Sequence, residues 1–172
     1  MGEKFRSAAL ETRWEKEART KLLRDDINKA LTEAMKAKQE LKVSTLRMIN
    51  SSLKNADIEA RGNGKPPLDD AAVLSLLQKM IKQRQESVEL YKKGGRDDLV
   101  KQESEEIAII SAYLPKQMGE AEMGAAIDAA IKETGAASVK DMGKVIGLLR
   151  GKYAGQMDMA KASAAVKGKL GG

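Results

Sequence analysis

Apolar residues recur at three- and four-residue steps along most of this chain, the period of a helix with one buried stripe. No stretch alternates apolar and polar positions as a half-buried strand would. Residues 22–38 read as a first helix, with Ile27, Ala30, Leu31 and Ala34 as its stripe. A second covers 44–61, where Leu46, Ile49, Leu53 and Ala56 repeat the step and Gly62 offers a stop. The glycine- and proline-rich stretch 62–67 is a loop. A long helix over 69–93 carries Val73, Leu76, Leu77, Met80, Ile81, Val88 and Tyr91, and Gly94-Gly95 ends it. Asp97 then serves as the cap of a helix carrying Leu99, Ile107, Ile110 and Leu114. Pro115 closes that helix, because the residue before a proline avoids helical angles.

A boundary falls at Pro115–Gly119, after which the chain is rich in Ala, Gly and Met. A helix over 120–133 ends at Gly135. The next begins at Ser138 with Asp141 three residues on, a spacing close to a capping box, and buries Met142, Val145, Ile146 and Leu149. Residues 151–155 form a turn, and Asp158 caps a last helix carrying Met159, Ala162, Ala165 and Val166. The expected fold is all-α with two helical domains. Residues 21–115 form a larger antiparallel array and 116–172 a small three-helix tail domain. Residues 1–20 are a charged N-terminal extension whose aromatic side chains are Phe5 and Trp14.

Composition narrows the function. Without cysteine the chain has no disulfide framework and no thiolate nucleophile or metal ligand. Without histidine it lacks the commonest metal ligand and the side chain that titrates near neutrality. No apolar run reaches the ~18 to 20 residues of a membrane span, and the N-terminus has no apolar signal core, so the expected address is cytoplasmic. Gly94-Gly95-Arg96 and Gly143-Lys144 lack the strand–loop–helix setting of a phosphate cradle. Ser75, Ser87 and Ser111 fall inside helices. We expect no catalytic residue, no metal, no cofactor and no self-sufficient enzyme. Glu103, Glu105 and Glu106 read as partners for Arg47, Arg84 or Arg96 rather than as an acid–base pair. Lys82 to Gln85 reads as a solvated face, with a nucleic-acid face as the alternative.

Charge is unevenly placed. The chain has 31 Lys and Arg against 25 Asp and Glu, a net of +6. From Ser138 onward seven cations face only Asp141 and Asp158, so the tail carries nearly all of the excess. Such a tail is either a footprint for phosphates or a solvated helical surface. Gly143 and Gly147 stand four apart in a helix, where each costs up to about 1 kcal/mol relative to alanine. Small residues at that spacing, with Gly155 beyond them, admit another backbone, from a packed helix or from a nucleic acid. Lys140, Lys144, Arg150, Lys152 and Lys161 are the candidate RNA-binding cations. The helix start near Ser138 adds N–H groups and a dipole that favour a phosphate.

Residues 46–58, from Leu46-Arg47-Met48-Ile49-Asn50 to Ile58, resemble the opening signature of YqeY-like proteins of the GatB/YqeY family. So do Met80 to Ser87, Tyr91, Gly95-Arg96-Asp97-Asp98-Leu99, Tyr113-Leu114-Pro115, and Thr134 to Ser138 with Lys140 to Val145 and Gly155. The resemblance covers roughly 22–170. It implies two helical domains similar to the C-terminal part of the B subunit of the glutamine-dependent aspartyl/glutamyl-tRNA amidotransferase, where the helical and tail domains hold the tRNA. It also implies a family-level link to carbon–nitrogen ligases that use glutamine as amide donor. The kinase-like cradle domain and the amidase serine machinery are missing from this chain. The resemblance places Lys140, Lys144, Arg150 and Lys152 in the tail's glycine-and-lysine motif, for contacts to the tRNA backbone. The competing expectation is a protein adaptor that docks on the amidotransferase or a tRNA synthetase. It is motivated by the acidic stretch from Asp97 to Glu133.

Overall fold

Apolar stripes buried between helices hold each part of the fold together. A computed structural model describes residues 13–171, and among these the regular structure is helical. The helices are α1 (Arg13–Lys36), α2 (Glu40–Gly62), α3 (Asp70–Lys93), α4 (Asp97–Ser111), α5 (Glu120–Thr134), α6 (Met142–Lys152) and α7 (Met159–Leu170). A short 3-10 turn, Val139–Asp141, precedes α6. The all-α expectation therefore holds. None of these helices is long and apolar enough to cross a membrane. The described chain divides into two compact units, one ending at Leu114 and the other beginning at Pro115.

In the first unit the stripes of α1, α2 and α3 meet over Ile27, Ala34, Leu46, Ile49, Leu53, Val73, Leu77 and Met80, and α4 adds Ile110. Two polar ties set the corners. Arg24 on α1 grips Asp57 on α2 through two bonds of 3.0 and 3.1 Å. The same carboxylate accepts the backbone N–H of Leu68 at 2.9 Å, which pins the loop leading to α3. Deeper, Arg84 donates through Nε to Glu106 at 2.9 Å and through Nη1 to the Met80 carbonyl. Gln102 donates to the other Glu106 oxygen. Arg84 is thus buried and committed to its own unit, so it contributes nothing to an outward nucleic-acid face.

Several boundaries differ from the expected ones. Residues 1–12 of the expected extension lie outside the described residues, and Arg13 already belongs to α1. Helix α1 stops at Lys36, and Lys38 takes a left-handed φ of 55° while Gln39 N–H reaches back to the Ala34 carbonyl. That six-to-one bond is a Schellman closure with lysine in the place glycine usually holds. Gly62 continues α2; the left-handed residue is Gly64, at φ 69°. Asp97 is the first residue of α4 rather than its cap. Gly95 at φ 67° turns the chain so sharply that Arg96 N–H closes onto the Tyr91 carbonyl and α4 follows at once.

In the second unit α5, α6 and α7 enclose Met123, Ala126, Ile127, Ala130, Val145, Leu149, Met157, Ala162 and Val166. Many of these side chains are small, so the helices share a thin apolar centre. Asp158 caps α7 as expected, accepting from Ala160 and Lys161 N–H at 2.9 and 3.2 Å. Gln117 and Met118 strap the start of the unit to the α6–α7 turn, by bonds to the carbonyls of Gly155 (2.6 Å) and Gln156 (2.7 Å).

Candidate nucleic-acid interface

The candidate residues sit around α6. Val145 and Leu149 are fully buried, which orients the helix. The three- and four-residue steps then gather Gly143, Lys144, Gly147 and Arg150 on the opposite, exposed face. Gly151, four residues beyond Gly147, joins them: α6 runs to Lys152, past the start of the turn expected over 151–155. A Cβ added at Gly143, Gly147 or Gly151 would meet nothing within 4 Å. Helix packing within this unit therefore does not account for these glycines. Gly155 has a different role. It is buried, at φ 72°, and serves the left-handed turn before α7.

The cations divide into two groups. Lys140, in the 3-10 turn, and Lys144, Arg150 and Lys161 are exposed, and among the described residues none has a carboxylate within ion-pair distance. Lys152 is engaged: it binds Glu133 on α5 at 2.5 Å. Lys169 is likewise bound to Asp128. Lys161 stands in the first turn of α7, on a different helix from Lys144 and Arg150.

The helix start near Ser138 does not behave as expected. Ser138 makes no side-chain cap. Instead Asp141 turns back and accepts the Ala137 N–H at 3.1 Å. That bond, the Ser138 N–H and the nearby Lys144 hold the Asp141 carboxyl below its ordinary range, against a smaller opposing effect of burial. The chain's own carboxylate thus occupies the Ala137 N–H just ahead of the 3-10 turn. What remains open is the glycine face and its flanking cations. It has no histidine, cysteine or activated serine for covalent chemistry, and among the described residues no acidic cluster is suited to a metal ion. The arrangement suits close approach of a polyanion.

A family model described as Yqey-like protein matches residues 24–170. Curated relatives bear the name altered inheritance of mitochondria protein 41, mitochondrial. The one from Lachancea thermotolerans is 42% identical over 89 residues, which is 52% of this chain and 46% of that protein. The one from Eremothecium gossypii is 39% identical over 106 residues, 60% and 56%. The one from Pyrenophora tritici-repentis is 31% identical over 127 residues, 71% and 68%. The match spans about half the length of the first two. These relatives carry a mitochondrial designation, and the cytoplasmic address expected from composition is corrected accordingly. The absence of an apolar signal core, on which that address rested, does not discriminate between compartments.

Proposed function

We propose that this chain, which belongs to the Yqey-like protein family, is an accessory module that holds tRNA by its sugar–phosphate backbone. The single observation that carries this reading is the open face of α6, where Gly143 and Gly147 meet no neighbour and Lys144 and Arg150 stand beside them without ion-pair partners among the described residues. Glycine removes the side-chain layer that would keep a nucleic-acid strand several ångströms from the helix. The cations then reach phosphates from either side, and Lys140 and Lys161 add to the field. In this reading the amide chemistry linked to the wider GatB/YqeY family belongs to other polypeptides, and this chain supplies grip rather than catalysis. Contacts of this kind position a partner without reading its sequence.

The test is a titration of the full chain with total tRNA at several salt concentrations. With three to four phosphates neutralised, log affinity falls against log salt with a slope of about −3. Lys144→Glu with Arg150→Glu weakens binding about tenfold or more while the circular-dichroism spectrum stays unchanged, since both side chains are exposed. A flat salt response, or full affinity in the double variant, removes the reading.

A further inference from the structure

The first unit carries a second outward surface with different chemistry. Helix α2 buries Leu46, Ile49 and Leu53 and therefore turns Arg47, Met48, Ser51, Lys54, Asn55 and Ile58 to solvent. Met48 and Ile58 are 43% and 54% exposed, although the Met48 sulfur also accepts from Arg84 beneath it. At the start of the same helix a shallow depression of about 640 Å³ opens between Met35, itself 50% exposed, and Val43. Three of the five exposed large apolar side chains among the described residues thus lie along this one face or at its end. Isolated apolar side chains on a surface need no explanation, but a line of them does.

The charge on the face is predominantly positive. Arg47, Lys54 and Arg61 follow one another at seven-residue steps, and none has an ion-pair partner among the described residues. Asp57, the nearest acid in the helix, is drawn off the face by Arg24 and the Leu68 N–H. Glu59 lies at the margin, and Glu40 borders the depression together with Lys38 and Arg47. Ser44, Ser51 and Ile58 repeat the same seven-residue step, as do Met48 and Asn55. A heptad advances about 10.5 Å along a helix, and such a repeat keeps its side chains aligned with a second helix lying alongside.

We infer that the outward face of α2 docks an acidic amphipathic helix of a partner protein. Its apolar side chains cover Ile58, Met48 and the depression beside Met35, and its carboxylates run along the edge marked by Arg47, Lys54 and Arg61. A nucleic-acid backbone fits this face less well, because it uses the cations but leaves Met48 and Ile58 uncovered. The surface differs from α6 in this respect, where the open positions are glycines. The inference does not depend on tRNA binding by the second unit.

The probe is a labelled synthetic helix of about three heptads, with leucines on one face and glutamates flanking them, titrated into the full chain by fluorescence anisotropy. A matched peptide with lysines in place of the glutamates and a short RNA duplex are the comparison arms. The acidic helix binds about tenfold or more tighter than the basic one. Met35→Ser with Ile58→Ser, at exposed positions that leave the thermal transition in place, weakens it about tenfold. Arg47→Glu with Lys54→Glu, an independent pair, reverses the preference between the two peptides. Equal affinity for both peptides, no binding of the acidic one, or unchanged affinity in both variants overturns the inference. So does an RNA duplex that binds the wild-type chain and is lost on Arg47→Glu with Lys54→Glu, since that result gives the face to nucleic acid.

Discussion

Arg84 shows how one buried charge organises a helical unit. Its guanidinium is nearly enclosed, and Glu106, the Met80 carbonyl and the sulfur of Met48 surround it. Glu103 lies 4.0 Å away. Burial first, and then the neighbouring Glu106 charge, raises the Glu103 carboxyl above its ordinary range, with Arg84 only partly opposing them. Arg84→Met leaves Glu106 buried without its cation and costs about 3 kcal/mol in urea unfolding. Adding Glu106→Leu recovers much of that loss, because two apolar side chains need no solvation. Asp57 gives the opposite titration. Burial raises its carboxyl, but the Arg24 bond, the Leu68 N–H and the charges of Arg24 and Arg61 together outweigh burial and hold it low. A carboxylate held low stabilises the fold above its unfolded value near pH 4 and loses that contribution as the pH falls through its folded value. Thermal unfolding of the wild type therefore declines more steeply than that of Asp57→Asn as the pH drops below about 4. Parallel curves would show that the pair contributes nothing.

At the scale of the element, α6 stands apart. Its glycines weaken the helix, and a Cβ at Gly143, Gly147 or Gly151 would meet no neighbour within 4 Å. Gly143→Ala and Gly147→Ala should each stabilise the second unit by about 0.5 to 1 kcal/mol, read from chemical denaturation. The same substitutions should reduce tRNA affinity if a backbone rests on that face. Stabilisation with unchanged affinity would leave the glycines without a binding role. Helix ends were legible where a single side chain acts within three residues, as Asp158 does on Ala160 and Lys161. They were not legible where the turn decides. Lys38 adopts a left-handed conformation in a place where glycine is the usual signal, and Asp141 reaches behind its own helix to Ala137.

For the molecule as a whole, two separate apolar centres matter more than total length. The second unit has a thin centre of alanine, valine, methionine and a few larger side chains, so one truncation removes a large share of it. Leu149→Ala, at a fully buried position, costs about 2 to 4 kcal/mol and strips amide-exchange protection from α5, α6 and α7. Retained protection there would mean that the cavity collapses without loss. Helical class, the apolar stripes and the concentration of cations after Ser138 were all readable from residue order, because helical periodicity and charge are properties of near neighbours. Tertiary packing decided which of those charges remain available. Lys152 is bound to Glu133, nineteen positions away, and Arg84 is enclosed with Glu106, twenty-two positions away, whereas Lys144 and Arg150 stay open. It also decided that Gly143 and Gly147 face outward with nothing against them. A side chain's partner depends on which helices pack together, and spacing along the chain cannot express that.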